Sequence, residues 1–199
     1  MRIVFATRNA GKVRELTQAL RGLPVVTLSL DEAGIDTDAE EAGDSYAENA
    51  RIKAEAVART GGCPSLADDS GIEVDALPGE LGVHSARFGG DGLGDSERNA
   101  LLLERLRGME ESQRGGRYVC VLAFSRPGEK TLYFEGVMNG RILEAPRGEG
   151  GFGYDPLMYL PELGLSVAEL DLETKNRLSH RGRALNAFRE WLSVELRDS

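Results

Sequence analysis

The segment RIVFATRNAGKVRELTQALRG, residues 2–22, places a strand, a polar loop and a helix one after another. Residues 2–6 form a continuous run with β-branched and aromatic side chains, which is typical of a short buried strand. In residues 11–21, apolar side chains recur at helical spacing, and a glycine follows as a stop signal. A strand that leads directly into a helix predicts an α/β fold.

The rest of the chain continues the alternation of strands and helices. Residues 45–60 are the best-defined helix, because Ser45 and Glu48 form a capping-box pattern, the interior is rich in alanine, and two glycines follow. This order predicts a mixed sheet with flanking helices, in a single domain that spans residues 1–199. The other predicted elements are a strand at 25–30, a strand pair around 65–77, a Gly-rich loop at 79–94, a helix at 96–107, a hairpin joined through 126–130, a Gly- and Pro-rich loop at 145–156, and a C-terminal helix with the stripe Leu178, Leu185, Phe188 and Leu192.

Composition and charge narrow the class of protein. The chain has 199 residues, of which 41% are hydrophobic and 29% charged, enough for one sizeable core. Its net charge of −9 argues against a nucleic-acid partner, since a general nucleic-acid binder needs a basic surface. No stretch has the apolar run of a signal peptide or a membrane span, so we expect no membrane partner. Cys63 and Cys120 stand in unlike contexts, and we interpret them as structural thiols of a reduced, cytoplasmic protein.

Two adjacent acids, Asp68 and Asp69, stand inside the stretch SLADDSGIEV at residues 65–74. A surface turn is one interpretation, because Asp, Ser and Gly are common turn residues. A bound cation is the other: at a strand end, two carboxylates would offer the hard oxygen ligands that Mg²⁺ prefers, with phosphate oxygens and waters completing the octahedron. One carboxylate could then act as a base towards a water molecule. The residues alone leave both interpretations open.

Candidate phosphate ligands come from the loop of residues 7–12 and from Lys53. The loop lies between the first strand and the first helix, where free amides and the helix dipole attract phosphate. It misses the Walker pattern at two positions, so an ordinary turn with a surface lysine stays the alternative. Lys53 lies on the apolar face of the 45–60 helix, where it either points into a cleft or extends its charge to the rim. The loop residues are Thr7, Arg8, Asn9, Ala10, Gly11 and Lys12.

The segment GEGGFGYDPLMYLP, residues 148–161, combines glycines with aromatic rings. The glycines would let the backbone wrap a ligand, and Phe152 and Tyr154 would offer flat faces to a base, although such residues are also common in hairpin loops. Downstream, four donor-rich side chains cluster near the predicted start of the last helix, where cations oppose the helix dipole and an anionic ligand would compensate them. These are Lys175, Ser179, His180 and Arg181.

Five motifs follow one another along nearly the whole chain: ATRNAGK at 6–12, EEAGDSYAENARIKA at 40–54, SLADDSGIEVDALPGELGVHSARFGG at 65–90, GFGYDP at 151–156 and AELDLETKNRLSHRGRAL at 168–185. In this order they resemble the inosine triphosphate pyrophosphatase family, house-cleaning enzymes that hydrolyse non-standard purine nucleoside triphosphates. The resemblance implies an elongated α/β fold whose mixed, curved sheet forms two lobes around a substrate cleft, in a homodimer. It implies Mg²⁺-dependent attack of water between the α and β phosphorus atoms, with hypoxanthine and xanthine as the preferred bases.

The resemblance also assigns roles to individual residues. Asp69 matches the proton acceptor and a metal ligand, and Glu41 matches a second metal-binding carboxylate. Ser70 would touch the substrate, while Lys53 would help the 7–12 loop to hold the triphosphate. The pocket would offer donors to the 6-oxo group of the base and reject the amino group of adenine. The residues lining it would be Phe152, Gly153, Tyr154, Asp155, Lys175, His180 and Arg181.

Under this resemblance, the acid pair is explained by Mg²⁺ bridged to a triphosphate. The cation would neutralise Asp68 and Asp69, with Asp69 doing the chemistry and Asp68 supporting it through water or hydrogen bonds. Gly71 would leave the backbone room. Arg8 and His84 stand where many relatives carry Gly and Tyr; we expect Arg8 to affect affinity or the range of bases, and His84 not to change the reaction.

Three other functions compete with this one. A phosphomonoesterase with an Asp nucleophile would need an Asp-x-Asp arrangement after the first strand, where this chain has residues 7–9, and it would release orthophosphate. A regulator that senses triphosphates without cleaving them would have no need of Glu41 and Asp69. A nucleic-acid-binding module is a distant third, given the acidic balance.

Overall fold

Seven strands form one sheet in the computed structural model, which describes residues 1–37 and 42–198. The strands are β1 (Arg2–Phe5), β2 (Val26–Leu28), β3 (Ser65–Val74), β4 (Gly115–Ser125), β5 (Leu132–Ile142), β6 (Met158–Leu160) and β7 (Leu165–Ser166). Their order across the sheet is β2-β1-β3-β4-β5-β6-β7. β1 pairs in parallel with β2 and β3, whereas β6 pairs antiparallel with β5 and β7. The predicted mixed sheet is therefore confirmed, while its curvature and the substrate cleft stay predictions.

Six α-helices accompany the sheet within the described residues: α1 (Ala10–Ala19), α2 (Leu30–Ala33), α3 (Tyr46–Gly61), α4 (Asp95–Arg105), α5 (Leu172–Leu178) and α6 (His180–Asp198). The helix predicted at 45–60 is confirmed as α3, but its capping differs in one bond. The Ser45 hydroxyl accepts the Glu48 N–H at 3.2 Å, whereas the Glu48 carboxylate accepts from Asp44 at 3.3 Å. The predicted hairpin is confirmed as β4 and β5, which are neighbours in the sheet. None of the described helices is both long and apolar enough to cross a membrane.

The C-terminal helix differs from its prediction because it is two helices. Ser179 has extended backbone angles (φ −64°, ψ 157°), which end α5 at Leu178 before α6 begins. The apolar stripe is therefore confirmed only for its later members, Leu185, Phe188 and Leu192, which are buried on α6. The break matters for the site, because His180 and Arg181 start a helix of their own.

β3 also differs from its prediction, since residues 65–74 are one continuous strand. Asp68 and Asp69 lie in the middle of this strand and are buried, so both the surface turn and the position at a strand end are wrong. The parallel pairing with β1 stops at Phe5 opposite Leu66. The two acids therefore follow directly beyond the point where β1 ends and the 7–12 loop begins.

The described chain divides into two compact units, each with its own core. The first unit comprises residues 1–69, 120–136 and 181–199, and the second comprises residues 70–119 and 137–180. In the first unit, alternate residues of β1 face opposite helices, as expected for a strand buried on both faces. Ile3 and Phe5 pack in one cluster with residues of α1 and α6, and Val4 packs in another with residues of α3. In the second unit, apolar residues of β3, α4, β4 and β5 form a third cluster.

Gly71 in the second unit is required by a close approach of the chain to itself. A Cβ atom at this position would overlap the carbonyl oxygen of Gly82 and would lie 2.7 Å from the Ser85 Oγ. Ser85 itself binds β3, because its hydroxyl accepts the Ile72 N–H at 3.0 Å. Gly71 thus lets the short 3₁₀ helix Gly82–Arg87 pack against the strand that carries the acids.

We predict that Gly71→Ala lowers the free energy of unfolding by about 2 kcal/mol or more, because the added methyl group forces the backbone of Gly82 to shift. Urea denaturation measures this. Gly94→Ala is the matched control, since its Cβ would meet nothing closer than 3.5 Å, and we expect it to cost less than about 1 kcal/mol at a helix N-cap. Equal costs for the two substitutions would contradict the packing argument.

Candidate active site

Asp68 is the centre of a buried ionic network in the first unit. Its Oδ2 accepts from the Lys12 ammonium at 2.9 Å and from two nitrogens of the Arg181 guanidinium at 3.3 Å. A third nitrogen of Arg181 donates to the Glu15 carboxylate at 3.0 Å. α1 supplies Lys12 and Glu15, and α6 supplies Arg181 at its first turn. The network therefore joins two helices to the strand that lies between them in the sequence.

The electrostatic balance of this network favours full ionisation of Asp68. Burial alone would raise the pKa of the Asp68 carboxyl group, but the charges of Lys12, Arg181 and Lys53 outweigh it and hold this pKa well below its usual range. Burial would likewise lower the pKa of Arg181, yet Asp68 raises it above the ordinary value. Burial raises the pKa of the neighbouring Cys120 thiol to about 12, so this side chain stays neutral.

Asp69 has a different environment from its neighbour. Its Oδ2 accepts a hydrogen bond from the Asn49 side-chain amide at 3.1 Å, and its Oδ1 lies 3.8 Å from the Lys53 ammonium. Asn49 and Lys53 are one helical turn apart on α3, so they present their side chains to the same face. The other end of the Asn49 side chain accepts the Gly43 N–H at 2.8 Å. Asn49 thereby fixes Asp69 to the segment that precedes α3.

The loop between β1 and α1 is capped by its own side chain. The Asn9 Oδ1 accepts the N–H groups of Gly11 at 2.9 Å and Lys12 at 3.2 Å, so Asn9 is the N-cap of α1 and an acceptor. Two of the N–H groups that were predicted to be free at this helix start are therefore bound by Asn9, and phosphate binding by the loop stays a prediction. Arg8 makes an exposed ion pair with Asp36 at 2.6 Å.

In the second unit, Asp155 binds two groups of the predicted base pocket and one further residue, Tyr118. Its Oδ2 accepts from the Lys175 ammonium at 2.7 Å and from the Phe152 N–H at 3.0 Å, while its Oδ1 accepts from the Tyr118 hydroxyl at 3.2 Å. The Tyr118 ring stacks on His180, with ring centroids 4.7 Å apart and planes at 15°. Burial and the adjacent carboxylate of Asp155 raise the pKa of Tyr118 well above its ordinary value, which keeps the hydroxyl a donor.

The two aromatic residues that flank Gly153 have different surroundings. The Phe152 side chain is exposed, with the residue 56% accessible, and the Lys175 ammonium lies 4.5 Å from its ring centroid. Tyr154 is instead buried, and its hydroxyl donates to the Ser85 carbonyl at 2.8 Å. Burial raises the pKa of Tyr154 to about 12. Only Phe152 has a face available to a base, so the flat face expected of Tyr154 is corrected to a core contact.

Most residues of each predicted group lie in one unit of the structure. Lys12, Lys53 and Asp69 all lie with Asp68 in the first unit, and Phe152, Gly153, Tyr154, Asp155, Lys175 and His180 all lie in the second. Arg181 belongs to the first unit and binds Asp68, and its role in the base pocket stays a prediction. Ser70 is the first residue of the second unit, and Glu41 lies outside the described residues.

Three further residues of the site were not assigned by the sequence. Glu15 binds Arg181, Asn49 binds Asp69, and Tyr118 binds Asp155. Glu15 lies on a helix among several charged side chains, and Tyr118 looks like an ordinary residue of an apolar strand. Only Asn49 carried a signal, because a buried amide on the same helix as Lys53 needs a polar partner.

Of the two adjacent acids in the first unit, Asp69 has the surroundings that suit a divalent cation better. Asp69 presents a carboxylate that is held by a neutral amide and a more distant ammonium, and carboxylate oxygens are what Mg²⁺ prefers. Asp68 suits a metal less well, because Lys12 and Arg181 both bind its Oδ2. Residues 1–37 and 42–198 contain no cluster of three or more acidic, histidine or cysteine ligands.

Comparison with known proteins gives consistent results over nearly the whole chain. The model of the Ham1 family matches residues 3–191. The chain is 52% identical to a dITP/XTP pyrophosphatase of Thermus thermophilus over 190 residues, covering 96% of this chain and 91% of that protein. It is 46% identical to a dITP/XTP pyrophosphatase of Geobacter sulfurreducens over 197 residues, covering 98% and 99%. Its fold is similar to the solved structure of a HAM1 protein from Coxiella burnetii, with a TM-score of 0.91, 39% identity and coverage of 97% and 98%.

We predict that Arg181→Met destabilises the protein by about 3 kcal/mol or more at neutral pH, because it leaves the buried Asp68 carboxylate with less compensation. The pKa of Asp68 is depressed in the folded protein, so its ionised form contributes stability above the unfolded pKa of about 3.9, and this contribution is lost as the pH falls further. The difference from wild type should therefore shrink below about pH 4.

Urea denaturation at pH 7 and at pH 3 measures both parts of this prediction. Arg14→Met is the matched control, because Arg14 is an exposed arginine on α1, and its removal should change the free energy of unfolding by less than about 0.5 kcal/mol. A loss of stability that is the same at both pH values would show that Arg181 stabilises the fold through packing instead of through the charge of Asp68.

Proposed function

This chain belongs to the Ham1 family, and we propose that it is a Mg²⁺-dependent pyrophosphatase that removes non-standard purine nucleoside triphosphates from the nucleotide pool. The products would be a nucleoside monophosphate and pyrophosphate. The family membership and the names of the relatives from Thermus thermophilus and Geobacter sulfurreducens support hydrolysis of such triphosphates. The preference for hypoxanthine and xanthine is implied by the resemblance to the inosine triphosphate pyrophosphatase family.

The observation that carries this proposal is the buried carboxylate of Asp69, held on β3 beside an amide and an ammonium group. A general base must be ionised and must keep its orientation while it takes a proton. The Asn49 amide holds the Asp69 carboxylate in one orientation, and the Lys53 ammonium lies 3.8 Å from its Oδ1. In the proposed reaction, Asp69 takes a proton from a water molecule whose oxygen attacks the anhydride between the α and β phosphorus atoms. The bond to the bridging oxygen breaks, and pyrophosphate leaves.

The triphosphate would be held by cations of the first unit. Lys12 already donates to Asp68, but an ammonium group has three donors, so it can bind a phosphate oxygen at the same time. Lys53 lies near Asp69 and would bind a second phosphate oxygen. Because the Asn9 side chain caps α1, we expect a phosphate either to replace this cap or to bind beside it.

Asp69 and Glu41 would hold the Mg²⁺ ion, with triphosphate oxygens and waters as the other ligands. When bound, the ion would supply charge neutralisation at the anhydride and a lower pKa for the attacking water. The assignment of Glu41 comes from the resemblance to the inosine triphosphate pyrophosphatase family.

In the second unit, the base would stack on the exposed ring of Phe152, with Gly153 to Asp155, Lys175 and His180 around it. Lys175 is tied to Asp155 and lies over the Phe152 ring, so it is oriented to donate a hydrogen bond to the 6-oxo group. Such a donor rejects the amino group of adenine, because the two donors would oppose each other. Arg181 would act indirectly, through its ion pair with Asp68. Ser70 would contact the substrate directly.

Two further parts of the proposal come from the resemblance alone. We propose that the protein works as a homodimer and that it acts in the cytoplasm. Light scattering on the purified protein tests the dimer, with the mass of a single chain as the contrary result. A phosphomonoesterase is less well supported, because the position after β1 holds Asn9 as a helix cap where that class needs an aspartate.

We predict that the protein incubated with inosine triphosphate and Mg²⁺ releases inosine monophosphate and pyrophosphate, with little orthophosphate. Separate assays for pyrophosphate and orthophosphate measure the products. A chelator should abolish the reaction, and ATP and GTP should react more slowly. Orthophosphate as the sole phosphorus product would identify a phosphatase, and binding without any product would identify a sensor.

We predict that Asp69→Asn lowers kcat by about 10²-fold or more, because the amide cannot accept the proton of the attacking water. Asp68→Asn should chiefly lower stability, since Lys12 and Arg181 lose the charge they bind. Steady-state kinetics and thermal melting on both variants separate the two effects. Full activity in Asp69→Asn together with lost activity in a folded Asp68→Asn would reverse the assignment.

A further inference from the structure

The first residues of α4 hold the peptide groups on both sides of Gly153. The Asp95 carboxylate accepts the Gly153 N–H at 2.7 Å, and the Asn99 side-chain amide donates to the Gly153 carbonyl at 3.0 Å. Asp95 and Asn99 are four residues apart, which places both side chains on one face of the helix. The two bonds therefore restrain the chain immediately before and immediately after Gly153.

The two hydrogen bonds act on a glycine, the residue type whose backbone has the most conformational freedom. Gly153 has a positive φ of 60°, and a glycine there has more conformational freedom than any other residue. The residues on either side are the exposed Phe152 and the buried Tyr154. Tyr154 is anchored by its hydroxyl bond to the Ser85 carbonyl, whereas the exposed ring of Phe152 has the Lys175 ammonium 4.5 Å from its centroid. The orientation of Phe152 therefore depends on the bonds at Gly153 and on its own N–H bond to Asp155.

The Asn99 side chain is used for this bond and for no other within the described residues. Asn99 is buried, its Nδ2 donates to Gly153, and its Oδ1 has no hydrogen-bond partner in the described part of the chain. A buried polar atom without a partner destabilises a fold, so an apolar residue would be the more stable choice here. The asparagine does, however, donate a hydrogen bond to the Gly153 carbonyl, which an apolar residue could not do.

We propose that Asp95 and Asn99 are positioning residues for base selection, which act by fixing Gly153 and through it the ring of Phe152. This role rests on the proposed function, since it assumes that a purine stacks on Phe152. Neither residue needs to touch the nucleotide. Their removal should weaken binding of the base, while the residues that carry out the hydrolysis keep their places in the first unit.

Single substitutions of these two residues give a specific test. Asn99→Asp replaces the donor by an oxygen that repels the Gly153 carbonyl, and Asp95→Ala removes the acceptor. Asp95→Asn is the rescue variant, because its side-chain oxygen can still accept the Gly153 N–H. Ser96→Ala, an exposed change on the same helix turn, is the control. The measurements are kcat and KM for inosine triphosphate and for ATP, thermal melting, and hydrogen exchange of the Gly153 amide by NMR.

We expect Asn99→Asp and Asp95→Ala to raise KM for inosine triphosphate about tenfold and to reduce its selectivity over ATP, with a much smaller change in kcat. The Gly153 amide should exchange faster in Asp95→Ala, and Asp95→Asn and Ser96→Ala should behave like wild type. An unchanged KM in folded variants overturns the positioning role. The role is also overturned if KM rises equally for both nucleotides and the rise parallels a fall in the melting temperature. A wild-type protein that releases no pyrophosphate refutes the proposed function separately, and Gly153 exchange then reports on the restraint alone.

Discussion

The buried negative charge of Asp68 is the constraint on which the first unit depends. A carboxylate inside a sheet is strongly unfavourable unless cations and hydrogen bonds replace its water. Here Lys12 from α1 and Arg181 from α6 provide that replacement. The remaining guanidinium nitrogen of Arg181 binds the Glu15 carboxylate. Two helices are therefore held to β3 by charge as well as by their apolar faces. The same cluster places the Lys12 ammonium beside the strand that also carries Asp69.

Adjacent carboxylates with different surroundings can take different roles. The three nitrogen donors on Asp68 commit it to the ionised, structural state. Asp69 is instead oriented by the neutral amide of Asn49, with the Lys53 ammonium 3.8 Å from its Oδ1. Pairs of acids whose environments differ in this way are how proteins assign acid and base functions to chemically identical groups. The cations on Asp68 also show that the protein itself supplies part of the charge that compensates this acid pair, while the part assigned to Mg²⁺ stays a prediction.

Local sequence patterns predicted the parts of the fold that depend on local interactions. The N-cap at Ser45, the apolar spacing of α3 and the turn residues between β4 and β5 each act within a few residues, and these elements are confirmed. The continuity of β3 was missed because it depends on distant partners: Asp68 and Arg181 are 113 residues apart in the chain. An acid pair followed by Ser-Gly has the composition of a turn unless its compensating charges are known. The sequence predicted which residues belong to the candidate site, but it did not predict which of them bind each other.

The glycine-rich segment of the second unit shows why residue type alone could not assign roles there. Phe152 and Tyr154 are equivalent by pattern, being aromatic residues on either side of one glycine. The Ser85 carbonyl decides between them, because the Tyr154 hydroxyl can be buried only with such a partner and the Phe152 ring has no polar group to satisfy. Once Tyr154 is anchored in the core, Gly153 turns the chain and Phe152 is left exposed. An exposed aromatic ring with a lysine over it, on a segment restrained through its backbone, is suited to stacking a planar ligand, since its orientation is set before the ligand binds.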